Sequence, residues 1–146
     1  MALSSVVIAS CGSKAFDDAQ VLRMKLDRDP KAPSVARAAM AGFTEWTEIS
    51  PSELDTLALL VSELVSNAVL HSDAPPASEI ILCVRVLDEG AVRVEVIDRG
   101  SGFSATPRDA TQPLGGFGLY LVDKQATRWG VDRECGTCVW FELGQP

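Results

Sequence analysis

The sequence predicts an α+β fold: a two-layer α/β sandwich with helices on one face of a mixed, mostly antiparallel sheet. Three observations carry this. Apolar residues recur at helical spacing through much of the first half of the chain, and they alternate with period 2 through much of the second. The order of elements is helices, then a hairpin, then a helix and two strands, which suits segregated layers better than a βαβ repeat. With 146 residues, 47% of them hydrophobic, the chain is long enough and apolar enough to bury a proper core.

Residues 1–20 read as an N-terminal extension in which Val6-Val7-Ile8-Ala9 could form an edge strand and Gly12 to Asp18 a loop. The domain proper runs over 21–146. Val21 to Leu26 alternates apolar and basic residues as a strand does, and ends at Asp29-Pro30. Pro33-Ser34 opens a helix carrying Val35, Ala38, Ala39, Gly42, Phe43 and Trp46, and Glu48-Ile49 links it to a longer one. That second helix has a marked start: Ser50 and Glu53 have capping-box spacing, and Pro51 suits the first helical position. Leu54, Leu57, Val61, Leu64, Val65 and Ala68 make its buried face, and it ends around Ser72-Asp73, before Pro75-Pro76.

A hairpin follows. Ile80, Leu82, Val84 and Val86 share one parity, Asp88-Glu89-Gly90 is the turn, and Val92, Val94 and Val96 share a parity on the return strand. The same alternation puts Asp98 on the side of the three valines, the side to be buried. A carboxylate there is costly unless it meets a donor, so Asp98 asks for a partner. After a stretch rich in Thr, Pro and Asp, Gly115-Gly116-Phe117-Gly118 opens a helix with Leu119, Leu121, Val122 and Ala126. Arg128 to Arg133 and Thr137 to Leu143 make the last two strands, Thr137, Val139, Phe141 and Leu143 facing one way and Trp140 and Glu142 the other.

Composition excludes several functions. A formal net charge of −7, with no cluster of Lys and Arg, argues against direct nucleic-acid binding, which needs a basic surface to neutralise phosphates. Met1 to Ser10 lacks a basic leader and is too short for a secretory signal, and no apolar run approaches the roughly 18 residues needed to span a bilayer. A cytoplasmic protein without membrane contact is the expectation. Cys135-Gly136-Thr137-Cys138 has CxxC spacing, but a structural zinc site needs four ligands, and Cys11, Cys83 and the sole histidine, His71, do not complete one by spacing. Reduced, mostly buried thiols are expected instead.

Four separated pieces carry chemistry. Glu63, Asn67 and His71 fall at i, i+4 and i+8, a polar stripe beside the buried face of the long helix. Asp98-x-Gly100-x-Gly102 closes the hairpin's second strand, Gly116-x-Gly118-Leu119 opens the later helix, and Gly136-Thr137 enters the last strand. Each piece alone is commonplace: a solvated acid–amide pair, a turn after a strand, a loop before a helix. Their order and spacing together are not.

That combination resembles the GHKL ATPase superfamily over roughly Val21 to Leu143. The similarity is closest to its short members, the bacterial anti-sigma factors that are also serine kinases, and their actinobacterial relatives. Leu59 to Val69, Gly118 to Asp123 and Thr137 to Leu143 carry the likeness. The resemblance implies a Bergerat-type ATP-binding fold with ATP and Mg²⁺ as cofactors. It implies Asn67 as the Mg²⁺ ligand and Glu63 as general base for a hydroxyl or water attacking the γ-phosphate. It makes Asp98 the acceptor for the adenine amine, with Thr137 helping to hold the base. Gly100 and Gly102 would let backbone approach the nucleotide, with Phe103 beside them. Gly116, Gly118 and Leu119 would present amide groups to the phosphates at a helix start. Residues 104–115 would form a lid whose one cation, Arg108, touches phosphate or a protein partner, or simply faces solvent. His71 would support the site or cap the helix. One departure stands out: relatives often carry a basic residue before this histidine, where this chain has Leu70.

The function implied is an ATP-binding regulator that phosphorylates a serine on an antagonist protein and sequesters a sigma factor, acting as a homodimer. The alternative is a non-catalytic module in which ATP or ADP is a conformational ligand. A detached sensor histidine kinase core is disfavoured because the sole histidine sits inside the nucleotide motif. A dinucleotide-binding fold is disfavoured because the two glycine pairs are split by the lid segment rather than opening the helix after a first strand.

Overall fold

The computed structural model describes residues 21–43, 49–71, 74–75, 77–87, 90–99, 117–133 and 136–144. The candidate edge strand at Val6 to Ala9, residues 100–116 and Cys135 lie outside the described residues. Within them the elements run β1 (Val21–Leu26), α1 (Ala32–Phe43), α2 (Pro51–His71), β2 (Ile80–Val86), β3 (Val92–Asp98), α3 (Phe117–Gln125), β4 (Arg128–Asp132) and β5 (Thr137–Leu143). The five strands form one sheet in the order β1-β2-β3-β5-β4, and each described pairing is antiparallel. The α+β sandwich expected from the sequence is the fold observed.

Register places the predicted inward residues in continuous rows. Met24 pairs with Leu82, Leu82 with Val96 and Val96 with Val139, while Leu22, Val84, Val94 and Phe141 make the next row. Against them pack Leu57, Leu60, Val61, Leu64 and Val65 of α2, Ala36 and Met40 of α1, and Leu119 and Val122 of α3. Each fully buried Leu, Val or Phe in this layer contributes about 1.5–3 kcal/mol relative to an exposed side chain. Leu60, absent from the stripe read off the sequence, is fully buried. The reason is tertiary: α2 packs against α1 and α3 as well as against the sheet, so its apolar arc is wider than one stripe.

The start of α2 is built as its sequence indicates. The Ser50 amide donates to Glu53 Oε1 at 3.4 Å, and the Glu53 amide donates to Ser50 Oγ at 3.2 Å, the reciprocal pair of a capping box. The hairpin closes through the Leu87 amide donating to the Ala91 carbonyl at 2.7 Å, with Gly90 at φ 88° supplying the left-handed residue such a turn needs.

The far side of the sheet is polar and tightly paired. Arg93 donates to Glu95 at 3.1 Å and to Glu142 at 2.8 Å, Arg128 donates to Glu142 at 2.6 Å, and the Arg93 guanidinium lies 4.0 Å from the centre of the Trp140 ring. Gly130, opposite Trp140 in the β4–β5 register, leaves room for that indole: a Cβ on it would stand 2.8 Å from the ring. Cys83 and Cys138 are free thiols on this face, as expected, and among the described residues no group of three or more His, Cys, Asp or Glu side chains could hold a metal ion.

Candidate functional site

The site is assembled where the C-terminal half of α2 meets the ends of β3 and β5. Glu63 and Asn67 lie one turn apart on α2. Glu63 is half-buried, whereas Asn67 is only 7% exposed, and its Nδ2 has no hydrogen-bond partner among the described residues. Leaving a buried amide donor unmet costs about 1–3 kcal/mol, so native folds seldom do so without cause. The backbone of His71 closes α2; its side chain lies outside the described groups.

Across from α2, Asp98 is the last residue of β3, 3% exposed and on the inner face as its parity requires. Its register partner on β5 is Thr137, 1% exposed. Two buried polar side chains therefore form one rung at the edge of the core. Gly136, immediately before Thr137, takes φ 91° and lies directly against the Asp98 carbonyl, so that a Cβ there would be driven into that oxygen and stand 3.1 Å from Arg99 Cα. Only glycine meets both demands, which explains the glycine at the entrance to β5.

The partner that Asp98 called for is Arg28, which the sequence did not disclose. Arg28 Nη2 donates to Asp98 Oδ1 at 2.6 Å, and the two side chains are 7% and 4% exposed. The same guanidinium donates through Nη1 to the Ala68 carbonyl at 2.5 Å and through Nη2 to Ser78 Oγ at 3.2 Å. Ser78 in turn donates to the Pro75 carbonyl at 2.7 Å. One guanidinium thus ties the β1–α1 connection to α2 beside Asn67, to the segment before β2, and to the end of β3. A buried carboxylate implies a cation or several donors, and that was legible. Which of the chain's Lys and Arg residues would supply them was not, because Arg28 and Asp98 are 70 residues apart and share no motif.

The remaining predicted residues divide. Gly118 lies in the first turn of α3, whose Leu119 side chain is packed in the core at 1% exposure, next to α2. Gly100, Gly102, Phe103, Arg108 and Gly116 lie outside the described residues. The structure pairs Asp98 with Thr137 across β3 and β5, and Arg28 links Asp98 to α2 at Ala68, next to Asn67; Glu63 lies one turn before Asn67 on the same helix.

Asp98 and Thr137 thus form a buried polar rung on two neighbouring central strands, tied by Arg28 to α2 beside Asn67. The model for the histidine kinase-like ATPase domain matches residues 26–143. The chain belongs to that family. The first curated relatives are modest in identity and unequal in coverage. An anti-sigma F factor from a Geobacillus species is 32% identical over 81 residues, which is 56% of this chain and 55% of that protein, so the match spans about half the length of such relatives. The serine-protein kinase RsbW of Oceanobacillus iheyensis is 27% identical over 130 residues, 81% of this chain and 82% of the relative. Solved structures share the fold. The RsbU and RsbW domains of a Mycobacterium tuberculosis protein superpose with a TM-score of 0.67 at 23% identity, over 87% of this chain and 33% of that one. A blue-light activated histidine kinase domain from Erythrobacter litoralis does so at 0.55 and 22% identity, over 77% of this chain and 62% of its own.

The described residues fit the ligands of a histidine kinase-like ATPase domain. Asn67 offers a buried side-chain amide whose nitrogen has no hydrogen-bond partner among the described residues, and Asp98 and Thr137 offer an acceptor and a hydroxyl within one rung. Among the described residues no helix is long and apolar enough to cross a membrane.

Proposed function

We propose that this histidine kinase-like ATPase domain binds Mg–ATP between α2 and the β3–β5 rung and transfers the γ-phosphoryl group to a serine hydroxyl of an antagonist protein. The observation that carries the proposal is the Arg28 guanidinium joining the buried Asp98 carboxylate to the Ala68 carbonyl, which sets that acceptor beside the buried Asn67, one turn from Glu63. Asp98 accepts from the adenine amine, with Thr137 beside it. Asn67 would hold Mg²⁺ through its side-chain oxygen; the ion, when bound, neutralises charge on the phosphates. Glu63 takes the proton from the attacking hydroxyl, the new phosphorus–oxygen bond forms at the serine, and ADP departs. By the family resemblance Gly116 and Gly118 would present backbone amides to the phosphates, Gly100 and Gly102 would admit the nucleotide beside Phe103, and Arg108 would touch phosphate or the protein partner, or face solvent.

The protein partners follow from the same reading: a sigma factor held by this domain, and an antagonist that releases it and receives the phosphate, in the cytoplasm and as a homodimer. The relatives' names, anti-sigma F factor and serine-protein kinase, support this assignment.

Calorimetric titration with Mg–ATP tests the binding step. Wild type and Glu63→Ala should bind and Asp98→Asn should not; binding retained in Asp98→Asn would refute the pocket. Phosphate transfer to the antagonist, followed with γ-labelled ATP, tests the chemistry and should vanish in Glu63→Ala. A second reading, nucleotide binding without turnover, draws on Leu70, which is 69% exposed where relatives often place a cation. It would be established by tight binding with equal, background transfer in wild type and Glu63→Ala.

A further inference from the structure

Asp98 has the carboxylate a nucleobase amine would use, yet its Oδ1 is held at 2.6 Å by a guanidinium from elsewhere in the chain. We propose that Arg28 is a latch on the base subsite, closed in the ligand-free protein and exchanged for the exocyclic amine of the base when nucleotide enters. This rests on the nucleotide-binding reading above and adds to it a built-in competitor.

Three features point to a latch rather than a fixed structural pair. First, the guanidinium and a base amine are the same kind of ligand to Asp98: each is an N–H donor directed at one carboxylate on the inner face of the sheet. Second, the closed pose is imperfect. Arg28 Nε is buried with no hydrogen-bond partner among the described residues, so the latch gives up one donor to make its other contacts. Buried ion pairs of this kind are favoured by geometry that satisfies every donor, and this one does not.

Third, Arg28 has other acceptors in place and a firm mount. The Ala68 carbonyl and Ser78 Oγ already take bonds from it, so the guanidinium can let go of the carboxylate and keep partners. Its backbone belongs to a turn that holds itself: the Asp29 amide donates to the Asp27 carbonyl at 2.9 Å, the Lys31 amide to Asp29 Oδ1 at 2.7 Å, and the Ala32 amide to the Asp29 carbonyl at 3.1 Å. Opening the latch therefore needs only side-chain rotation, with the start of α1 left intact.

A latch lowers apparent affinity by the fraction of molecules that are open. If about one molecule in ten is open, removing the latch tightens nucleotide binding about tenfold. The test is titration of the full chain with ADP and with Mg–ATP at pH 8, comparing wild type, Arg28→Met, which keeps an apolar stem, and Arg28→Lys. The latch predicts tighter binding in Arg28→Met, an intermediate value in Arg28→Lys, and a lower melting temperature for ligand-free Arg28→Met. Unchanged or weaker binding in a folded Arg28→Met overturns it and makes Arg28 a structural or substrate-holding residue. A second measurement needs no variant. Nitrogen-15 spectra of the Arg28 side chain in wild type should show the Nε and Nη signals moving, and their protons exchanging faster, on saturation with ADP. Unmoved signals in ADP-saturated protein also overturn the latch. Failure of wild type and both variants to bind either nucleotide would instead remove the nucleotide-binding reading on which the latch stands.

Discussion

Gly136 lies against the backbone of Asp98, its φ of 91° letting β5 begin where β3 ends with no side chain between them. This contact sets the position of Thr137 opposite Asp98, and so the spacing of the polar rung at the base of the site. The glycine's role is geometric, and it reaches function only through the two side chains it aligns.

Gly136→Ala is expected to be disproportionately harmful. The substitution puts an L-residue in the left-handed region and drives its Cβ into the Asp98 carbonyl, together costing about 2–3 kcal/mol or more. Urea denaturation should show a lower midpoint with an unchanged slope, and Mg–ATP affinity should fall with it. A variant as stable as wild type would mean that the β3–β5 junction can open to admit a methyl group.

Acid should weaken the sheet through Glu142. Burial alone would raise the pKa of this carboxyl, but hydrogen bonds from Arg128 and then Arg93, with the charges of both, outweigh burial and hold it below the ordinary range. A depressed native pKa means that the stabilisation is fully present above the unfolded value, about 4.3, and is lost as pH falls through the lower native value. Melting temperature should therefore drop below about pH 4.3 more steeply in wild type than in Glu142→Gln, whose loss at pH 7 should be that of hydrogen bonds to a charged group, about 2 kcal/mol. Parallel melting profiles for the two proteins would show that the Arg93–Glu142–Arg128 cluster contributes nothing.

The thiols of Cys83 and Cys138 should behave as buried apolar groups. Burial, reinforced by the neighbouring Glu95 charge, pushes Cys83 up to about 11 and Cys138 up to about 12. In a Cys11→Ser, Cys135→Ser background at pH 8, their reaction with a disulfide reagent should be slower than in urea by on the order of 100-fold. Raised native pKa values also carry a sign: stability is retained below the unfolded thiol pKa of about 8.5, and it declines from there toward pH 11 to 12. Rapid labelling of the folded protein would place these thiols in an open part of the sheet.

Much of the fold was legible because it depends on local periodicity. Strands β2, β3 and β5 followed their alternation, and the α2 start followed from Ser50, Pro51 and Glu53. The start of α1 fell one residue before Pro33, and β4 ended one residue before Arg133, differences of the size expected where elements fray. Leu60 was missed because a single apolar stripe cannot report how many neighbours a helix will have. The polar stripe on α2 and the inward direction of Asp98 could be read from spacing, since i, i+4 and strand parity place side chains without knowledge of the rest of the chain; the roles proposed for them came from the family resemblance.

Residue spacing alone is enough to put an acid and an amide on one edge of α2, to turn Asp98 inward, and to require a donor for that carboxylate. Local geometry is enough for each, because helical and strand periods assign direction to every side chain. Long-range packing makes Arg28 a donor to Asp98, sets Thr137 as the rung beside it, and requires a glycine at 136. Those facts depend on which strand edge and which turn arrive at the end of β3, which is a matter of long-range pairing and packing that no local period encodes.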